Sequence, residues 1–182
     1  MIDGFLTSLG FTKSKTDFKL YFKVVNNGLV ISLLYVDDLF LTGNVELIAK
    51  CKRELSGEFE MKDMGPLHYF LGLKVWKEPE GIFLGQGKYT VETLQRFGIM
   101  DCNSMPTPMV ANLKILSDIS SNRVDSTIYR QMIGSLIYLT NTRPDICFAV
   151  KTLSQYMVEP RRVHWIAAKH VLRYLEGTWP EV

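Results

Sequence analysis

Ile2, Phe5, Leu6 and Leu9 recur at helical spacing, one apolar face of a helix that Gly10 can stop. The periodicity then changes. Leu20 to Val25 is rich in β-branched and aromatic residues and predicts a strand. Asn26-Asn27-Gly28 follows as a hairpin turn, because Asn and Gly tolerate positive φ. Leu29 to Val36 predicts a second strand, apolar almost throughout and so expected to be buried on both faces. Asp37-Asp38 interrupts it, and Leu39 to Thr42 resumes the β pattern. Two adjacent carboxylates are therefore expected at the tip of a tight hairpin.

Asn44 is a natural N-cap, and Ile48, Cys51 and Leu55 mark the inner face of the helix after it. Phe59-Glu60-Met61 reads as a short extended piece. Leu67 to Lys77 and Ile82 to Gln86 predict a second hairpin around Glu78-Pro79-Glu80-Gly81. A helix follows from about Lys88 to Phe97, stopped by Gly98. Residues 101–125 carry Pro106, Pro108 and several Ser and Asn, which predicts a linker. Asp125 can cap a helix to Leu139, and Thr142-Arg143-Pro144-Asp145 breaks it. Ile146, Ala149, Val150, Leu153, Tyr156 and Met157 form another apolar stripe, ended by Pro160. A last helix runs from Val163 to Glu176, closed by Gly177. The predicted class is α+β: a mixed part over residues 1–100, a linker over 101–125 and a helical part over 126–178.

Composition narrows the picture. The 182 residues carry 21 Lys and Arg against 19 Asp and Glu, a formal charge of +2, and 47% are hydrophobic. That excludes a disordered chain and a strongly basic tail. It leaves a small basic face open, since charge elsewhere can balance it. Cys51, Cys102 and Cys147 lie far apart, without metal-finger spacing, and predict reduced thiols inside a cell. No apolar run reaches the ~18 residues that span a bilayer. Met1 to Phe5 lacks the basic start of a secretory signal, so no membrane partner is expected.

The candidate chemistry sits at Asp37 and Asp38. Asp is common in solvated turns. Here, however, the pair lies inside Leu33-Leu34-Tyr35-Val36-Asp37-Asp38-Leu39, between apolar strands. Two like charges in a partly desolvated hairpin repel unless a cation neutralises them. Mg²⁺ prefers carboxylate oxygens, water and substrate phosphates. Two such ions about 3.5–4 Å apart activate an attacking hydroxyl and steady a leaving phosphate.

These residues carry a resemblance. Tyr35-Val36-Asp37-Asp38 resembles the polymerase signature (YVDD) of reverse transcriptases. The flanks narrow it to the copia-type retrotransposon enzymes: Ile2 to Phe11, Tyr69 to Leu73, Gly134 to Thr140, Thr142 to Asp145, and His164-Trp165 through Leu172 to Thr178. The resemblance implies a partial reverse-transcriptase palm, an antiparallel sheet with helices, followed by a helical thumb-like region. It implies that Asp37 and Asp38 bind the two catalytic Mg²⁺ ions. Tyr35 and Val36 would lie beside the primer end, and Phe70, Leu71 and Gly72 in the hairpin that grips the primer. The partners would be template–primer nucleic acid and deoxynucleotides, with the primer 3′-hydroxyl attacking the α-phosphate. In such an enzyme the fingers and a third carboxylate would precede Met1, and a ribonuclease H domain would follow Val182. Asp3 and Asp17 match other parts of the family and are not expected to substitute. The expectation is a polyprotein fragment that polymerises poorly or not at all by itself.

Arg162, Lys169 and Arg173 are spaced by 7 and 4 residues, one stripe of the last helix, and could follow a phosphate backbone. His164 and His170 face different ways and are expected at the surface or as caps. Arg143 is expected to pair with a carboxylate or a helix end. Gly72 marks either a close backbone approach to the primer or a strand bulge. Two other function classes stay open: a nucleic-acid-binding module without chemistry, and an inert transposon remnant.

Overall fold

A computed structural model describes residues 2–109 and 120–178. It is α+β, with antiparallel sheets and helices, and divides into two compact units, residues 1–65 and 66–182. The mixed part expected over residues 1–100 is thus shared between both units. The second hairpin is grouped with the helices because its hydrogen bonds reach them: Gln86 and Leu71 both bond Tyr138. The middle of the predicted linker, residues 110–119, lies outside the described residues.

The first unit begins with α1 (Ile2–Ser8), stopped where Gly10 takes φ +86. A four-stranded antiparallel sheet follows in the order β1 (Thr12–Lys13), β2 (Leu20–Val25), β3 (Gly28–Tyr35), β4 (Asp38–Gly43). Asn26 and Asn27 make the predicted β2–β3 turn with φ +46 and +64, and the register runs from Val25 opposite Gly28 to Leu20 opposite Leu33. Asn44 caps α2 (Val45–Glu58) by accepting hydrogen bonds from the N–H groups of Glu46 and Leu47.

Strand alternation decides which face is covered. Tyr21 and Val30 join Leu6 of α1, Phe11, and Cys51 and Leu55 of α2 in one core, with Leu34, Leu39 and Leu41 packed against it. The opposite face carries Phe22, Val24 and Leu29, all exposed, together with the partly buried Ile31, Leu33, Tyr35 and Phe40. The expectation that the strand would be buried on both faces is therefore wrong. Only Val30 and Ser32 of β3 are buried, because helices cover a single side of this sheet within the unit. The apolar run signalled apolar residues, not two covered faces.

The second unit opens with a three-stranded meander, β5 (Tyr69–Phe70), β6 (Leu73–Glu78) and β7 (Gly81–Gly85). The strand predicted over Leu67 to Lys77 is broken at Leu71 and Gly72. Their positive φ values, +50 and +80, fold Tyr69 back opposite Lys74. Among the described residues the α-helices α3 (Gly87–Arg96), α4 (Ser126–Leu139), α5 (Cys147–Ser154) and α6 (Arg162–Thr178) follow. Asp125 caps α4 as predicted, accepting from the N–H groups of Thr127 and Ile128. Pro144 opens a 3-10 turn that leads into α5. Leu94, Tyr129, Met132, Ile133, Leu136, Leu153, Val171, Leu172 and Leu175 form the centre of the helical core.

Candidate nucleotidyl-transfer hairpin

The β3–β4 hairpin is pinned by register: Leu33 faces Phe40, Leu34 faces Leu39, and Tyr35 faces Asp38. Only Val36 and Asp37 remain in the loop. Val36 carries φ +54, the first position of a two-residue turn, where glycine is favoured. A β-branched residue there is strained, and Val36 is also 77% exposed. The sequence thus puts a stiff apolar residue at the bend, immediately before the two acids.

Asp38 is the first residue of β4, opposite Tyr35. Alternation places both on the sheet face away from the helices of the unit, with Phe40, Leu33 and Ile31. Asp37 and Asp38 are both exposed. This corrects the expectation of a partly desolvated pair. The flanking strands are apolar, but the turn between them is open to solvent.

Two exposed neighbouring carboxylates suit part of a hard-cation shell. Such a shell uses one or two carboxylates and completes itself with water and substrate phosphate. Among the described residues no group of three His, Cys, Asp or Glu is placed to hold a metal. The other aspartates of the first unit have structural duties. Asp3 accepts from the Tyr21 hydroxyl at 2.8 Å and from Lys13 at 3.1 Å, and these bonds hold its carboxyl below the ordinary value. Asp17 accepts from the N–H of Lys19 in a turn, and Asp63 is paired with Lys52. Neither Asp3 nor Asp17 stands beside Asp37 and Asp38 in sequence or takes part in their hairpin.

In the second unit, Phe70, Leu71 and Gly72 form the tight turn between β5 and β6, with Leu71 54% exposed. The Tyr138 hydroxyl donates to the carbonyl of Leu71 at 2.5 Å. A Cβ added to Gly72 would lie 2.2 Å from that same oxygen. The glycine therefore makes room for a tyrosine side chain of its own unit, a pairing that local sequence patterns do not signal.

On α6 the basic stripe is only partly free. Arg162 is exposed, the Lys169 ammonium lies 5.6 Å from the centre of the Trp165 ring, and Arg173 Nε donates to the carbonyl of Asn103 at 2.7 Å. His164 is buried, stacked 3.8 Å from Tyr156, and its Nδ1 accepts the N–H of Arg161 ahead of the helix. It caps, as one of its expected roles, but is not at the surface. His170 contacts the carbonyl of Thr107 at 2.9 Å. Arg143 pairs with Asp145, the structural role expected for it.

The model of the family described as "Reverse transcriptase (RNA-dependent DNA polymerase)" matches residues 1–111. The chain is 39% identical over 96% of its length to the retrovirus-related Pol polyprotein from transposon RE2 of Arabidopsis thaliana, of which it spans 12%. It is 37% identical over 97% of its length to the corresponding polyprotein from transposon TNT 1-94 of Nicotiana tabacum, of which it spans 14%. An uncharacterized mitochondrial protein of Arabidopsis thaliana is 45% identical over 80% of this chain, which covers 61% of that protein. No solved structure matches.

Proposed function

This chain belongs to the reverse transcriptase (RNA-dependent DNA polymerase) family of copia-type transposons, and we propose that its first unit is the palm portion bearing the catalytic hairpin. The observation that carries this reading is the Asp37-Asp38 pair at a two-residue turn, with Asp38 opposite Tyr35 on the sheet face away from the helices of its unit. Asp37 and Asp38 would hold Mg²⁺. Bound there, the metal supplies the positive charge that favours attack of a primer 3′-hydroxyl on the α-phosphate of a deoxynucleotide. Tyr35 and Val36 would border the primer end. Val36, held in its strained conformation, fixes the direction in which the chain enters the two acids.

The second unit would supply primer and duplex contacts. Phe70, Leu71 and Gly72 meet the primer strand, and the helices act as a thumb-like region. Arg162, Lys169 and Arg173 remain the candidates for phosphate contacts. Arg162 and Lys169 are better placed, because the Arg173 guanidinium is already engaged with Asn103. A basic contact of this kind shows as affinity that falls as salt rises.

The 182 residues by themselves would extend a primer poorly. Two carboxylates are fewer than two-metal chemistry needs, and the described residues hold no third acid placed with them. Primer extension on poly(rA) annealed to oligo(dT) tests both parts. The expected result is no measurable synthesis by the chain alone, with Mg²⁺ binding by calorimetry that disappears in Asp37→Asn and Asp38→Asn. Robust Mg²⁺-dependent synthesis, lost in Asp37→Asn, would overturn the incapacity. Metal binding unchanged in both variants would overturn the assignment of the hairpin.

A further inference from the structure

Tyr138 lies in the last turn of α4, and three groups of its unit, from the β5–β6 turn, from α3 and from the N-cap of α3, fix it. The Leu71 carbonyl takes its hydroxyl hydrogen at 2.5 Å. The Tyr89 ring meets the Tyr138 ring edge-on, with centroids 4.7 Å apart and planes at 78°. The Gln86 side chain, itself buried, donates Nε2 to the Tyr138 carbonyl at 3.1 Å and accepts from Thr142 Oγ1 at 2.7 Å. Ring, hydroxyl and backbone are each held by a different partner.

What the hydroxyl holds in turn is the bend between β5 and β6. Leu71 and Gly72 both adopt positive φ. For Leu71 that conformation carries a steric penalty, so it persists only where the surroundings impose it. The bond from Tyr138 is the tie that reaches the Leu71 carbonyl from 67 residues away. Gly72 lets it do so, since a Cβ there would lie 2.2 Å from the hydroxyl oxygen but 3.4 Å from the ring carbon that bears it.

We infer that Tyr138 is a positioning residue for primer binding: its hydroxyl holds the Leu71–Gly72 bend in the shape that meets the primer strand. This rests on the reading of Phe70–Gly72 as a primer contact. Tyr138 itself need not touch nucleic acid. The turn presents Leu71 outward, and an untied turn would relax towards a more extended backbone and withdraw that contact.

The test uses the full chain and a DNA primer annealed to an RNA template, with 2-aminopurine at the primer terminus. Duplex affinity and 2-aminopurine fluorescence are measured well below the unfolding midpoint, which is determined separately. Tyr138→Phe is expected to weaken duplex binding about three- to tenfold, the range of one hydrogen bond, and to diminish the fluorescence change. Gly72→Ala should weaken it at least as much. In the Tyr138→Phe background, however, Gly72→Ala should cost less than it does in the parent, because the colliding oxygen is gone and only the strain of alanine at positive φ remains. A purely structural tyrosine would lower the midpoint and leave affinity and fluorescence unchanged, and that result overturns the proposal. Leu71→Asp separates the two readings. If it weakens binding while Tyr138→Phe does not, only the positioning role fails. If it has no effect, or the unaltered chain does not bind, the primer-contact reading fails and the positioning role falls with it.

Discussion

Arg143 grips Asp145 two residues further on with both arms of its guanidinium, Nε to Oδ1 at 3.0 Å and Nη2 to Oδ2 at 2.6 Å. The same Nη2 donates to Thr178 Oγ1 at 2.7 Å, and the Tyr174 hydroxyl donates to Asp145 Oδ2 at 2.8 Å. The turn before α5 is thereby fastened to the end of α6, around an arginine that is only 7% exposed.

Arg143→Ala is expected to destabilise the helical unit. Charged hydrogen bonds of this kind are worth about 1.5–3 kcal/mol each. Asp145 stays open to solvent, which screens part of that, leaving a loss of about 1–2 kcal/mol. Urea denaturation followed by circular dichroism measures it. Arg143→Lys should recover a small part, since an ammonium cannot reproduce the planar fork. Equal midpoints for the alanine variant and the parent would count against this account.

The same cluster sets a pH dependence. The Arg143 hydrogen bond, and after it the Tyr174 hydroxyl, hold the Asp145 carboxyl below its ordinary value of 3.8. The folded chain therefore binds this proton more weakly than the unfolded chain does. The stabilisation is complete above about pH 4 and disappears as pH falls through the lower, folded value. Asp145→Asn should cost stability at pH 7, and its deficit against the parent should shrink as pH drops towards about 2. A deficit that grows in acid would contradict the sign.

Val36 offers a prediction in the opposite direction. With φ +54 it occupies a conformation that a β-branched side chain adopts only under constraint. Val36→Gly should raise stability by about 0.5–1 kcal/mol, net of the added freedom of the unfolded chain. Thermal unfolding of the two proteins decides the matter. If the variant is clearly less stable, the exposed valine makes contacts that outweigh its strain.

Much of this architecture could be read from local chemistry. Asn26 and Asn27 tolerate the positive φ of their turn, and Asn44 and Asp125 each accept from nearby backbone N–H groups, so short-range rules located one turn and two helix starts. The Tyr35-Val36-Asp37-Asp38 hairpin was legible for the same reason: an acidic pair between apolar strands leaves room for only a tight bend. What escaped depends on distant partners. Nothing near Gly72 announces Tyr138, and the strand from Leu67 to Lys77 looked continuous because its break needs positive φ at Leu71, a residue that rarely adopts it. The apolar run of β3 could not say how many of its faces a helix would cover. His164 was open to a surface or a capping role, and it caps Arg161 while stacked, buried, on Tyr156.

The exposed apolar residues of the four-stranded sheet and the arginine and lysine row of α6 should answer a single reagent oppositely. Ammonium sulfate raises the cost of wetting Phe22, Val24 and Leu29, so it pushes them towards any oily surface at hand. The same ions compete at Arg162 and Lys169, where a phosphate chain would otherwise dock. Salting-out media would therefore favour clumping of this molecule while stripping it of nucleic acid, and dilute buffer would do the reverse.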